Sequence, residues 1–244
     1  MLGICPQAQL VDVSHGVRAY AVREAAFLLA QSWRCFPPGT VHLVVVDPGV
    51  GSSRRPLVAQ AGEQSFVAPD NGVLSLVGGF AARELAEERF FRHPVSRTFQ
   101  GRDLFAPAAA HLAAGVPIAE FGPKMGDPLI LPFGEPVETT PGCWAGSVLH
   151  VDRFGNIVTS FDWARFRAVA EVPFVLETGI CRATRYRPNY AASATGEVFA
   201  IGGSSGYIEV SVNQGDAASL AKVSAGEPVK LIICAGECYH VLVP

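Results

Sequence analysis

The spacing of hydrophobic and polar positions changes character along the chain. Residues 9–13 (QLVDV) alternate as a short strand and run into the polar pair Ser14 and His15. From Ala21 to Trp33, apolar side chains at Val22, Ala25, Ala26, Leu29 and Trp33 recur at helical spacing, and Phe36-Pro37-Pro38-Gly39 stops the helix. Residues 41–47 (VHLVVVD) form a β-branched run of the kind buried on both faces of a parallel sheet. This strand, helix, strand order predicts a βαβ unit. A Gly-rich turn over residues 48–53, strands over 56–62 and 65–70, and helices over 73–88 and 104–114 complete an α/β half with a mainly parallel central sheet.

Pro128, Pro132, Pro136 and Pro141 then punctuate a stretch without helical period. The expected division is an N-terminal α/β domain over residues 1–131, a linker over 132–141 and a C-terminal β domain over 142–244. In the last part, strands are predicted over 147–152, 156–161, 173–178, 197–202, 207–212, 228–233 and 239–244. Turn residues separate them, as in a small antiparallel barrel or sandwich. No internal repeat or low-complexity tract is present.

Composition narrows the function classes. Hydrophobic residues make up 49% of the 244 positions and charged residues 17%, which favours a well-packed globular protein. The net charge of -3, with Lys and Arg scattered, gives no footprint for nucleic acid. No apolar run reaches spanning length, and the N-terminus lacks the succession of a secretory signal, so the cytoplasm is the expected location and a membrane is not an expected partner. Six cysteines, Cys5, Cys35, Cys143, Cys181, Cys234 and Cys238, match neither a redox pair nor a zinc knuckle and are expected to be buried thiols.

Three polar clusters could carry chemistry. Asp47, at the end of the most apolar run, precedes a turn that leads to Arg54 and Arg55. Strand ends of this kind bind ligands in α/β sheets, but an Asp before Pro is also an ordinary turn former. The glycines here lack the GK[ST] ending and the full GxGxxG of nucleotide cradles. Phe99-Gln100-Gly101-Arg102-Asp103 precedes the second apolar helix, where Asp103 could equally be a cap and Arg102 solvated. His150-Val151-Asp152-Arg153-Phe154-Gly155-Asn156 sets a carboxylate and an amide around an aromatic ring, and also reads as a hairpin with a buried Phe. His150 and Asp152 alternate as metal ligands might, yet no third ligand is evident, and no metal is expected.

Seven segments in order carry a resemblance: DVSHGV (12–17), EAAFLL (24–29), FPPGTVHLVVVDPGVGSSRR (36–55), FVAPDNGVLSLV (66–77), FQGRDLFAPAAAHLAAG (99–115), DRFGNIVTSF (152–161) and SSGYIEVSVNQGDAASL (204–220). Together they resemble the S-adenosylmethionine (SAM) hydroxide adenosyltransferases, which are related to SAM-dependent fluorinases and chlorinases. The resemblance implies cleavage of SAM to adenosine and L-methionine by in-line attack of water on C5′, without a cofactor. It implies that Asp47 and Arg54 hold the water, with Gln100 in the place of a family His. Gln can position a water but cannot take up its proton. Substrate contacts implied by the resemblance are Tyr20 near the sugar and base, Phe154 and Asn156 at the adenine, and Phe99 and Gly101 elsewhere on the substrate. Asp152 and Ser204 would bind the methionine ammonium and carboxylate. A homotrimer with inter-subunit active sites is implied as well.

The sequence departs from the family pattern twice: at Gln100, and in starting downstream of a first strand and loop that supply a ribose-binding carboxylate, which points to a start codon assigned too late. These departures leave two alternatives, a SAM- or adenosine-binding homologue impaired in catalysis and a SAM-dependent halogenase. Against the halogenase, Asp47 puts negative charge where a halide must shed its water.

Overall fold

A computed structural model describes residues 1–233, which fall into two compact units, Met1–Pro132 and the residues from Phe133 onward. In the first unit, α1 (Val22–Ser32) buries Glu24, Ala25, Ala26, Phe27 and Leu29, of which Ala25 and Leu29 pack in the cluster with the sheet. The strands β1 (Val41–Leu43), β2 (Pro56–Ala61), β3 (Gln64–Pro69), β4 (Ala81–Glu84) and β5 (Lys124–Met125) form one sheet in the order β1-β3-β2-β4-β5. A π-helical turn over Gly101–Phe105 leads into α2 (Ala106–Ala113).

Both faces of this sheet are covered, so its central strands are apolar on both sides. Leu57 and Ala59 pack with Ala25 and Leu29 of α1, whereas the intervening Val58 packs with Ala108 and Ala109 of α2. That is the two-residue period of a strand laid between two helices.

The sheet is mixed, which corrects the expectation of a mainly parallel one. β1 and β3 are parallel, but β2–β3, β2–β4 and β4–β5 are antiparallel. Only two residues, Gly62 and Glu63, separate β2 from β3, and Gly62 sits at φ +57°. A two-residue loop closes a hairpin and is far too short for a parallel crossover.

Other expectations for this unit are also revised. Residues 9–13 form no strand, and Leu10, Val11 and Val13 are exposed. The run 41–47 is a ladder strand only through Leu43, after which one further bond runs from Val44 N–H to the Val67 carbonyl. The helix expected over 73–88 is absent. Gly78 and Gly79 take positive φ, and Ala81–Glu84 instead pairs with β2, so an open sheet edge overrides the helix propensity of Ala, Glu and Leu.

The proline-rich stretch divides in two. Its first part lies along the first unit, where Leu129 N–H donates to Asp70 at 2.7 Å, Leu131 N–H donates to Ser75 Oγ at 2.8 Å, and Arg55 bridges Asp70 and Asp127. Its second part contains β6 (Val137–Thr140), a strand in the segment expected to be linker.

In the second unit follow β7 (Cys143–Val151), β8 (Ile157–Asp162), α3 (Trp163–Phe166), β9 (Phe174–Thr178), β10 (Cys181–Ala183), β11 (Val198–Gly202), β12 (Tyr207–Val212), α4 (Ala217–Ala221) and β13 (Pro228–Ile233). The strand order is β10-β9-β13-β7-β8-β12-β11, with β6 beside β7, and every ladder is antiparallel. A bridge from Tyr186 to Ala200 brings the chain beyond β10 onto β11, nearly closing the sheet into a barrel. Phe161, Phe166, Leu176, Ile208, Val210 and Leu231 fill its interior. The two short helices add to an architecture that the alternation alone reads as all-β. The strand expected over 239–244 lies outside the described residues, as do Cys234 and Cys238.

Cys5 and Cys181 are buried and Cys143 half-buried, but Cys35 is exposed at the end of the turn after α1, against the expectation of buried thiols. No described helix is long and apolar enough to cross a membrane.

Candidate active site

In the first unit the turn after β1 folds Arg54 back onto Asp47. Val50 N–H donates to the Asp47 carbonyl, Ser52 N–H and Oγ both donate to the Gly49 carbonyl, and Arg54 N–H donates to Ser52 Oγ. Gly51 makes this turn possible. Its φ is +76°, and a β-carbon there would strike the carbonyl of Arg97.

The outcome is a convergence of three side chains. Arg54 Nε donates to Asp47 Oδ1 at 2.9 Å and to Oδ2 at 3.1 Å, and Nη2 donates to Oδ2 as well. The same Nη2 donates to Gln100 Oε1. The acid and guanidinium side chains are only 6% and 10% exposed, so their attraction is weakly screened. Arg54 also lies 5.1 Å from the ring centre of Phe105 in the turn that follows Gln100. Asp47, Arg54 and Gln100, 53 positions apart at the extremes by number, therefore share one hydrogen-bonded cluster.

The residues around Gln100 have distinct structural roles. Gly101 lies beside Val45, whose Cγ1 would be in ordinary contact, 3.5 Å, with an added β-carbon. Phe99 is 54% exposed and stacks under the Arg102 guanidinium. Asp103 is neither a helix cap nor solvated. It is fully buried, accepts from Arg102 at 2.7 and 2.8 Å and from Ser96 N–H at 3.0 Å, and holds residues 92–103 in place. Arg102, hydrogen-bonded to it, keeps the Asp103 carboxyl well below the usual range. Tyr20 is 79% exposed and takes φ +68°, a rare conformation for a bulky residue.

In the second unit Asp152 organises the β7–β8 turn. It accepts from Phe154 N–H at 2.8 Å, Asn156 N–H at 2.9 Å and Asn156 Nδ2 at 2.9 Å. Asn156 Nδ2 also lies 3.3 Å from Tyr190 Oη. Phe154 is 65% exposed, which removes the reading of a hairpin closing on a buried ring. Ser204 is exposed in the β11–β12 turn. Glu209 and Tyr190, which the sequence does not single out, stand beside this group. Burial, then the charge of Asp152, pushes the Glu209 carboxyl up; burial, then Glu209, pushes the Tyr190 hydroxyl up. The alternation of YIEVSV assigns Glu209 to a solvent face, which is why the pattern hides it. Among the described residues, no three His, Cys, Asp or Glu side chains converge as metal ligands.

Comparison with known proteins agrees across the chain. The family model of the SAM hydroxide adenosyltransferase N-terminal domain matches residues 1–122, and that of the C-terminal domain matches residues 146–230. The chain is 36% identical over 234 residues to an (R)-S-adenosyl-L-methionine hydrolase of Salinispora tropica, covering 93% of this chain and 88% of that protein. It is 34% identical over 241 residues to the protein of that name from Thermus thermophilus, covering 93% and 89%. A fluorinase of Actinoplanes is 30% identical over 190 residues, covering 66% of this chain and 64% of the fluorinase. An uncharacterised conserved protein of Thermotoga maritima superimposes with a TM-score of 0.85 at 34% identity, covering 95% of this chain and 91% of that one. With both halves matched and relatives of more than a third identity spanning nearly its whole length, the chain belongs to the SAM hydroxide adenosyltransferase family.

Proposed function

We propose that this protein hydrolyses SAM to adenosine and L-methionine, with Asp47, Arg54 and Gln100 holding the attacking water. The observation that carries the reading is the buried Asp47–Arg54 fork with Gln100 on the same guanidinium nitrogen.

The chemistry asks little of a base. Water attacks C5′ as the C5′–S bond breaks, the electron pair of that bond goes to sulfur, and methionine leaves as a neutral thioether needing no protonation. The new oxygen carries an excess proton and is strongly acidic, so the carboxylate of Asp47 can take that proton as bond formation completes. The guanidinium of Arg54 holds that carboxylate in place for the transfer. Most of the rate then comes from fixing one water on the C–S axis, where alignment is worth several orders of magnitude. Gln100 fits this scheme, since an amide can hold a water without accepting its proton.

Tyr20, Phe154 and Asn156 are proposed to meet the sugar and base, Phe99 and Gly101 the substrate elsewhere, and Asp152 with Ser204 the amino-acid end. Tyr20, Phe99 and Phe154 are all exposed on the single chain, which suits sites completed by another subunit of a homotrimer. No cofactor is required by this reaction, and the protein is proposed to act in the cytoplasm on a free small molecule.

Incubating the purified protein with SAM in water enriched in oxygen-18 tests the reading. The expected products are methionine and adenosine with one heavy oxygen at the 5′ position. Formation of 5′-chloro-5′-deoxyadenosine in chloride buffer would move the assignment to halogenation, and adenosine binding without turnover would leave a binding protein.

A further inference from the structure

Glu209 has no work in the barrel that explains its burial. It is 7% exposed on β12, between Ile208 and Val210, which point into the interior, so its carboxylate lies on the opposite face; β12 pairs Glu209 with Val158 of β8, two positions from Asn156, whose amide contacts both Asp152 and Tyr190. Ser205 Oγ reaches its Oε1 at 3.3 Å, and no group among the described residues hydrogen-bonds Oε2. Asp152 is held by two backbone N–H groups and one amide, all uncharged. Among the described residues, no Lys, Arg or His is ion-paired to either acid. The backbone of Gly203 is pressed against the Glu209 carboxylate, and a β-carbon at 203 would take that carboxylate's place. The site is thus shaped around a second acid beside Asp152.

A nearly buried carboxylate beside a half-buried one, without a counter-charge, is costly, and the cost falls when a cation enters. We infer that Glu209 is a substrate-recognition residue that joins Asp152 in binding the ammonium of the substrate's amino-acid portion. This rests on the SAM-hydrolase reading for the identity of the substrate and extends it to a residue outside the set named above. Burial and Asp152 push the Glu209 carboxyl up, and a cation held by the two acids would draw it down again. Ser205 and Gly203 then act as its positioning contacts.

The test uses the full chain and two ligands that cannot be hydrolysed at a sulfonium. One is S-adenosyl-L-homocysteine, which carries the ammonium; the other is its deaminated analogue, which lacks it. Calorimetry is expected to give tighter binding of the first by at least about tenfold, and Glu209→Gln is expected to erase most of that preference while binding the analogue as before. Glu209→Asp, which keeps the charge, should recover part of the preference. Ligand-free Glu209→Gln is expected to melt at or above the parent protein, because the substitution relieves repulsion from Asp152. Equal loss of both ligands, an unchanged preference, or no binding of either ligand by the parent protein would overturn the inference. Failure to release adenosine from SAM while the preference and its loss persist would refute the hydrolase reading alone.

Discussion

At the scale of single residues, the cluster that matters is one acid, one guanidinium and one amide, and each predicts a different response to substitution. Asp47→Asn keeps an acceptor for Arg54 but removes the charge proposed to take the water's proton. It should lower kcat by about 10²- to 10⁴-fold while leaving KM within a few-fold. Because both side chains are nearly buried, the variant also leaves Arg54 under-compensated, a change that costs about 3–5 kcal/mol for buried pairs. Circular dichroism at the assay temperature separates the two effects, and an equal rise in KM without a change in kcat would count against the proposed role. Gln100 makes the complementary case. An amide does not titrate, so the parent rate should show no inflection between pH 5 and 8 from this position. Gln100→His should introduce one, near or below the ordinary histidine value of about 6.5, because Arg54 next to the ring disfavours its protonation. Protonation would replace an acceptor with a cation facing Arg54, so activity should fall on the acid side. A flat pH–rate profile for this variant would place residue 100 outside the water site.

At the scale of elements, the barrel contains a loop whose stability should depend on acid in a defined direction. Glu197, at the entrance to β11, accepts from Ala194 N–H at 3.0 Å, Ser193 Oγ at 2.9 Å and Arg187 at 2.7 Å. These contacts lower its carboxyl from 4.5 to about 2. A carboxylate depressed in the folded state stabilises above its unfolded value and loses that contribution as protons bind. Denaturant midpoints of the parent should therefore fall between about pH 4.5 and 2 more steeply than those of Glu197→Gln, which has no such charge to lose. Parallel curves would show that the loop does not draw on the ionised form.

The same scale shows where sequence reading succeeds. The helix over 22–32 and six barrel strands, β7, β8, β9, β11, β12 and β13, follow their periods, whereas the short β6 and β10 do not announce themselves. Residues 81–84 misled because the helix-forming Ala-Ala-Arg-Glu sits where β2 offers an open edge, and propensity loses to pairing. The antiparallel order of β2 and β3 was written in Gly62-Glu63, a signal weaker than the βαβ rhythm around it. For the site, Asp47 and Arg54 were legible only as parts of a turn. Their meeting depends on Gly51 and on Arg97, which is 46 positions away and invisible to local pattern. Glu209 was hidden for the opposite reason, since its polar alternation is that of any half-exposed strand.

At the scale of the whole molecule, the question is how a 25.8 kDa chain encloses a substrate whose proposed aromatic contacts stand in solvent. Tyr20, Phe99 and Phe154 are 79%, 54% and 65% exposed, and Tyr20 holds a backbone conformation that bulky residues avoid. Displaying three such rings has no return for an isolated chain, because exposed apolar area is stabilising only when something covers it. A trimer whose subunits complete one another's sites gives each ring a partner or a ligand. Light scattering should then give a mass three times that of the chain. Activity per chain should hold constant over the concentrations at which the trimer persists and fall on dilution at the same point as the mass, since a divided site cannot work in a monomer. Tyr20→Ala should raise KM for SAM several-fold with the mass unchanged if the ring touches ligand, and should lower the mass if it touches a neighbour. Full activity from a species of single-chain mass would remove the subunit-sharing proposal and require the single chain to close around the substrate by itself.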